Sequence, residues 1–271
     1  ERNALDICIE IFAIGNELCY GKVYDTNSFW IADQVTQLGA KVQRITCVPD
    51  SLESICKVLK EAIDRRPEII IVTGGLGPTP DDLTIEALSR FLGLKLETRE
   101  TILQSMAERR KVPIHQLPPN LVRMARTITS AECLPNPVGS APVTLIEKDD
   151  TMIVALPGPP AEMKACFTEY LTKRIRERTH LKSASKRVLI SMYESQLSPL
   201  IEQIMKEMPG TYLKPLVSEY QRDKGLLPVE IIAFAESNEL CQRRMDEIIE
   251  KLGAYVSQRS TNLQLPLRPK S

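Results

Sequence analysis

The sequence carries no excess charge of either sign, since 35 Lys and Arg residues balance 35 Asp and Glu. Nothing global therefore attracts DNA, RNA or an anionic membrane, and any phosphate recognition has to be local. Long apolar runs are missing too: none approaches the ~18 residues of a membrane span, and the first residues lack the charged-then-apolar pattern of a secretory signal. A cytoplasmic address is the default expectation. The seven cysteines (Cys8, Cys19, Cys47, Cys56, Cys133, Cys166 and Cys241) include no Cys-x-x-Cys pair, which argues against a zinc site or a disulfide framework. Histidine is scarce, and His115 and His180 have no ligand-type neighbour at useful spacing, so neither is read as catalytic. Aromatic residues make up only 5%, and Trp30 beside Phe29 is read as helix packing.

What is present is an alternation of apolar runs and helical stripes. The hydrophobic fraction of 43% is ordinary for a globular chain, and 271 residues suit a pair of domains. Asp6 to Ile14 is nearly all apolar and stops at Gly15, as a strand buried on both faces does. Ile31, Val35 and Leu38 repeat at helical spacing up to Gly39, and Ala40 to Val48 reads as the next strand. Ile55, Val58, Leu59, Ala62 and Ile63 form a helical stripe after the capping candidate Ser51, closed by Pro67, before a third strand from Glu68 to Thr73. A helix from about Asp82 to Leu92 completes a βαβ rhythm, which predicts a parallel sheet covered on both sides.

Residues 98–126 read as helical segments broken by Pro113, Pro118 and Pro119. Val143 to Glu147 and Thr151 to Ala155 read as short strands joined by a turn at Lys148-Asp149-Asp150, and a helix after Pro160 carries Met163, Phe167, Tyr170 and Leu171. Residues 1–177 are thus expected to form an α/β domain with a three-layer, mainly parallel sheet. A second pattern begins at Lys186, and residues 178–186 are expected to be its linker. Residues 186–256 read as a smaller α+β domain of order βαββαβ, with Ala254-Tyr255-Val256 as an edge strand, followed by a mobile tail over 257–271.

The chemistry is concentrated at Gly74-Gly75-Leu76-Gly77-Pro78-Thr79-Pro80-Asp81-Asp82, a turn leaving the carboxyl end of a parallel strand and entering a helix. At such turns backbone N–H groups and the helix dipole face the ligand crevice of an open α/β sheet. Gly74, Gly75 and Gly77 permit close approach to an anion, and Thr73, Thr79 and Thr84 offer hydroxyls. No Gly-Lys-Ser/Thr follows, and Pro80 stands where a dinucleotide fingerprint has glycine, so neither common nucleotide motif is present. On spacing alone, a ligand cradle and a structural turn capped by Asp81 or Asp82 are equally consistent with the residues. Asp50, Asp81, Asp82, Glu17 and Asp25 all follow strands that come to one sheet edge, a grouping suited to a hydrated Mg²⁺ beside a pyrophosphate.

These residues, with Gly15-Asn16-Glu17-Leu18, Asp25-Thr26-Asn27-Ser28, Val48-Pro49-Asp50, Asn136-Pro137-Val138-Gly139-Ser140-Ala141-Pro142 and Leu156-Pro157-Gly158-Pro159-Pro160-Ala161-Glu162-Met163, resemble the amino-terminal part of the CinA family of competence/damage-inducible proteins. The resemblance implies a molybdopterin-binding-like first domain and a KH-like second one. It further implies metal-dependent hydrolysis of ADP-ribose to AMP and ribose 5-phosphate, with molybdopterin binding or adenylyl transfer, or nucleotide binding without catalysis, as the alternatives. Asp50 and Asp82 match the paired catalytic aspartates of related proteins, and Asp50, Asp81 and Asp82 would hold Mg, Mn or Co. Asn16, Glu17, Asp25, Asn27, Gly74, Gly75, Gly77, Pro78, Thr79, Thr84, Asn136, Gly139, Ser140, Pro157 and Gly158 would surround the ligand, and Glu162 would cap its helix.

The sequence departs from the family at Asn16 and Ser140, where threonine is common, and after Pro142, where glycine is common. The nicotinamide mononucleotide deamidase that full-length CinA proteins carry in a further domain is not expected. A small-molecule nucleotide is the expected partner and a homodimer the expected assembly, with neither membrane nor nucleic acid engaged. The second region has no Gly-x-x-Gly loop with which to clamp a nucleic-acid backbone.

Overall fold

The computed structural model describes residues 7–261. The chain divides into a pair of compact units between Thr179 and His180. The first begins with β1 (Cys8–Ile14), the short α1 (Asn16–Cys19), α2 (Thr26–Gln37), β2 (Lys41–Val48), α3 (Leu52–Arg65), β3 (Ile69–Thr73) and α4 (Thr84–Leu92). A small excursion follows, with β4 (Leu96–Thr98), α5 (Glu100–Arg110), α6 (Pro119–Met124) and β5 (Arg126–Ile128). The chain returns to the sheet through β6 (Glu132–Leu134), β7 (Val143–Lys148) and β8 (Thr151–Leu156), and leaves through α7 (Pro160–Cys166) and α8 (Thr172–Arg178), joined by a π-helical turn at Phe167–Leu171.

The central sheet has the order β2-β1-β3-β8-β7-β6. Its first four strands are parallel, and β7 and β6 are added antiparallel through the tight turn after Lys148, where Asp149 takes a left-handed conformation. The apolar runs are explained by burial on both faces. Ile9, Ile11, Ile69, Ile71, Val154 and Leu156 pack with Ile31 and Val35 of α2 and with Phe167, Leu171 and Ile175. The alternate residues Phe12, Ile14, Ile70, Val72, Ile153 and Ala155 face Ile55, Leu59 and Ala62 of α3 and Ala87 and Leu88 of α4. Period-two alternation on the strands thus gives three layers from one continuous hydrophobic string.

Helix boundaries follow local chemistry. The Ser51 hydroxyl accepts the Ser54 N–H at 3.3 Å and starts α3, while Arg66 in a left-handed conformation ends it immediately before Pro67. Asp25 caps α2 by accepting the Ser28 N–H at 2.9 Å. In the excursion, Pro118 and Pro119 stand at the start of α6, where a missing N–H does no harm.

In the second unit, β9 (Lys182–Ile190), α9 (Glu194–Glu207), β10 (Thr211–Pro215), β11 (Leu227–Ala235) and α10 (Asn238–Thr261) form an antiparallel sheet of order β10-β11-β9 with helices packed on it. Two sequence expectations fail here. Much of the expected 178–186 linker is strand, because β9 starts at Lys182 and pairs along its whole length with β11. The expected edge strand at Ala254-Tyr255-Val256 is helix, and the order is βαββα. Tyr255 and Val256 continue the stripe of Ile248 and Leu252 at helical spacing and pack on the same core, so tertiary burial overrides the local β preference of Tyr and Val. Part of the expected 257–271 tail is likewise helix, up to Thr261, and the remainder lies outside the described residues.

Candidate functional site

The carboxyl ends of the four parallel strands open into one cleft of about 480 Å³. Gly15, Glu17 and Leu18 come from the end of β1, Asp50 from the end of β2, Thr73 to Gly77 with Asp81 and Asp82 from the end of β3, and Gly158 to Pro160 from the end of β8. Val23 to Asn27, at the start of α2, form another wall. The chain runs from β1 to β2 on one side and to β3 on the other, so the cleft lies at a topological switch point, where neighbouring loops diverge and leave a crevice.

The glycine turn is held by its own residues. Asp82 Oδ1 accepts the Gly77 N–H at 2.7 Å and Oδ2 accepts the Thr79 N–H at 2.8 Å, while the Thr79 hydroxyl lies 2.5 Å from both Asp82 Oδ2 and Asp81 Oδ1 and has one proton to share between them. Asp82 therefore clamps the turn from within instead of capping α4, whose N-cap position is Leu83 with no side-chain bond. A Cβ on Gly77 would come within 2.6 Å of Asp82 Oδ2, so a side chain there would push the Asp82 carboxylate out of the turn. Gly74 has φ of +99° and abuts the Ile14 carbonyl, which leaves no room for a side chain. Thr84 donates its hydroxyl to the Gly74 carbonyl at 2.8 Å and Thr73 donates to the Pro157 carbonyl at 3.0 Å. Behind the turn, Arg123 donates to the Thr79 and Asp82 carbonyls, and Glu86 bridges Arg123 and Arg126.

The hydroxyls expected to serve a ligand are thus committed to the protein, and the Gly77 N–H with them. Among the described residues, the Gly75 and Leu76 N–H groups have no protein acceptor, and both residues line the cleft.

The opposite wall is acidic. Asp50 Oδ2 accepts the Asn16 N–H at 2.7 Å, and Asn16 Oδ1 accepts the Asp50 N–H at 3.3 Å, so Asn16 fixes Asp50 and does not itself line the cleft. Burial lifts the Asp50 carboxyl above its ordinary 3.8, the Asn16 N–H opposes that rise, and the charges of Glu17, Asp81 and Asp82 add to it. Asp81 is held below its ordinary value, first by the Thr79 hydroxyl at 2.5 Å. No group of three His, Cys, Asp or Glu side chains among the described residues converges as a ready-made metal cage. The donors fit a different mode, in which one or two carboxylates hold a hydrated divalent ion that a ligand phosphate completes. Asp50 and Asp81 suit that mode; Asp82, expected to join them, has both oxygens engaged by the turn.

Of the remaining expected residues, Glu17, Asp25, Asn27, Gly74, Gly75 and Gly158 line the cleft, whereas Pro78, Thr79, Thr84, Asn136, Gly139, Ser140 and Pro157 do not. Asn136 is a buried organiser: it donates to the Ala141 carbonyl at 3.0 Å and to Glu162 Oε2 at 2.6 Å and accepts the Val138 and Gly139 N–H groups. Glu162 accordingly neither caps α7 nor faces the cleft; it pins the 136–141 turn, and a side chain on Gly139 would collide with it. Sequence reasoning missed Val23 and Tyr24 as wall residues, and the Arg123–Glu86–Arg126 brace; the local pattern carries no signal for either, since both depend on how distant elements meet.

Fold and cleft define an open, mainly parallel α/β protein with a crevice at its switch point. A family described as "Probable molybdopterin binding domain" matches residues 10–177, and the chain belongs to it. A protein of Pyrobaculum arsenaticum is 35% identical over 244 residues, covering 89% of this chain and 92% of that one. A protein of Saccharolobus solfataricus, SSO0103, is 32% identical over 243 residues, covering 88% of each. The crystal structure of the protein CinA with unknown function from Thermoplasma acidophilum superposes with a TM-score of 0.59 at 29% identity, over 64% of this chain and 99% of that one. The first unit is therefore a CinA-like domain of the molybdopterin-binding type. No described helix is long and apolar enough to cross a membrane.

Proposed function

We propose that the cleft binds a phosphorylated pterin of the molybdopterin class and serves adenylyl transfer in molybdenum-cofactor biosynthesis. The observation that carries this reading is the meeting, within the family's matched region, of Gly75 and Leu76 N–H groups that have no protein acceptor with acidic residues in a cleft lined by no Lys or Arg. Backbone donors in the glycine turn after β3 suit phosphate oxygens, and a cleft of about 480 Å³ lies in the size range of small-molecule sites. Carboxylates facing a phosphate would repel it, so the pair implies a divalent cation, which Asp50 and Asp81 would hold. Such an ion would neutralise phosphate charge and polarise the phosphoanhydride. The chain's own part is to orient phosphate on the glycine turn and keep that turn rigid through Asp82.

A second reading, hydrolysis of ADP-ribose, draws on Asp50 alone: a partly buried carboxylate with raised proton affinity, open to the cleft, suits the activation of water. One panel separates the readings. Thermal unfolding is followed with molybdopterin, ATP and ADP-ribose, each with and without Mg²⁺, and nucleotide products are analysed. The first reading expects midpoints raised by molybdopterin and by ATP with Mg²⁺, since a ligand bound to the native state stabilises it. Release of AMP and ribose 5-phosphate from ADP-ribose would move the assignment to hydrolysis. Absence of any shift or turnover would remove both.

A further inference from the structure

The segment between α1 and α2 holds large apolar side chains in water on a hydrogen-bonded backbone. The Lys22 and Val23 N–H groups both donate to the Glu17 carbonyl, at 2.9 and 3.3 Å, and the Thr26 N–H donates to the Tyr24 carbonyl at 2.9 Å, next to the Asp25 cap of α2. On this ordered chain Tyr24 is 91% exposed, and Tyr20 and Phe29 are exposed as well. Burying an aromatic ring is favourable, so a fold that fixes the backbone and leaves the ring in water has kept that surface for a partner. Tyr24 alone of these aromatics lines the cleft, and it is the one aromatic residue that does so. Its ring rests on nothing and is free to turn about its own side-chain bonds over the opening. A facing surface lies close by. Asn27 Nδ2 donates to the Gly158 carbonyl at 2.7 Å and so ties the start of α2 to the turn after β8, where Pro159 and Pro160 are exposed and line the same cleft.

We infer that Tyr24 is the stacking platform of the cleft: with Val23, Pro159 and Pro160 it forms an apolar slot that takes the flat ring of the ligand, a pterin or a purine. This rests on the function proposed above and deepens it, because it assigns the ring a place apart from the phosphate. The Gly75 and Leu76 N–H groups suit anionic oxygen, and the acids suit a cation, but neither offers a flat surface to a heterocycle. Tyr24 does, and a ring covered on it removes from water a face of each partner. Stacking of this kind tolerates different heterocycles, since each has a π face, so the slot selects for a ring and leaves the choice among rings to other contacts. The step is recognition, and no bond is made or broken at Tyr24.

The test compares ligands with and without a ring. Affinities of the full chain in Mg²⁺ are measured by calorimetry for ATP and molybdopterin, which carry one, and for inorganic tripolyphosphate, which does not. Tyr24→Ala should weaken binding of ATP, molybdopterin or both by about five- to a hundredfold and leave tripolyphosphate unchanged. Tyr24→Phe, which keeps the ring, should stay within about twofold of the parent, whereas Tyr24→Leu, apolar but not flat, should fall with Tyr24→Ala. Tyr20→Ala, exposed on the same segment but outside the cleft lining, should change none of these affinities. Equal losses for ringed and ringless ligands in Tyr24→Ala, or no loss for either, overturn the inference and leave the proposed function standing. Sedimentation velocity of the same proteins covers the other use of exposed aromatics: dissociation of an oligomer by Tyr24→Ala and Tyr20→Ala alike, with ATP and molybdopterin affinities unchanged, would make the segment a protein interface and also overturn the inference. Failure of every probe to bind the parent overturns the proposed function and this inference with it.

Discussion

Carboxylates at different levels of the same sheet meet opposite fates. Glu10, midway along β1, is fully buried and receives a bidentate pair of hydrogen bonds from Arg65 of α3, both at 2.6 Å. At the carboxyl edge, Asp50, Glu17, Asp81 and Asp82 share a cleft that no Lys or Arg lines. Where burial is structural, the fold supplies a fork-shaped cation, because an unpaired charge there would be intolerable. Where the acids face a cleft, burial first and the neighbouring acids second lift the Asp50 carboxyl, a cost that a functional site sustains because its cation or ligand relieves it. The contrast teaches that an acidic residue is informative about function when its surroundings fail to pair it.

Breaking the structural pair should produce the largest effect. Arg65→Ala leaves the buried Glu10 carboxyl without its partner, and urea unfolding should show a loss of about 3 kcal/mol or more, while Glu10→Leu with Arg65→Leu should recover most of it. A loss below about 1 kcal/mol in the single variant would make the two carboxylate environments equivalent and dissolve the contrast.

The clamp inside the glycine turn comes next. Asp82→Ala frees the Gly77 and Thr79 donors and should destabilise the protein by about 1–3 kcal/mol, together with loss of the ligand-induced thermal shift. Asp82→Asn retains one acceptor for the turn and should lie between the parent and Asp82→Ala in both measurements. Equal ligand affinity in all three proteins would show that turn rigidity is irrelevant to binding.

The smallest effect is also the one of reversed sign. Asp50 has a folded-state affinity for protons above its unfolded one, so its favourable contribution is complete below about pH 3.8 and is lost as pH rises through the raised folded value. Asp50→Asn, which keeps an acceptor for the Asn16 N–H, should therefore raise the ligand-free melting midpoint at neutral pH and abolish the Mg²⁺-dependent part of the ligand shift. Melting curves across pH 3 to 7 should differ between the proteins by a term that grows as pH rises through that window. A midpoint lowered at neutral pH would contradict the raised proton affinity.

The order of the first strands, the helix cap at Ser51 and the placement of Asp50 and the glycine turn at one sheet edge were legible because each depends on local pattern and short-range connection. The parts that were not legible share one physical cause. Thr73, Thr79, Thr84 and Asn136 carry hydrogen-bonding groups whose partners lie on other segments, and a sequence does not state whether a donor will meet a ligand or a carbonyl. Asp82 reads as a catalytic, metal-holding aspartate, with helix capping as the structural alternative, and neither reading anticipates the turn's own N–H groups, which engage both of its oxygens. Tyr255 and Val256 were misread as strand because only packing on Ile248 and Leu252 continues α10 through them.

By itself, then, the sequence determined the layered parallel sheet, through period-two burial and helical stripes, and gathered glycines and acids at its edge. Tertiary structure alone decided which of those groups are engaged: it tied the threonine hydroxyls and Asp82 into the protein, left the Gly75 and Leu76 N–H groups without a protein acceptor, and turned the Asn27 nitrogen onto the Gly158 carbonyl. The reason is that a hydrogen-bonding group has one role per partner, and partners are assigned only when distant segments come together.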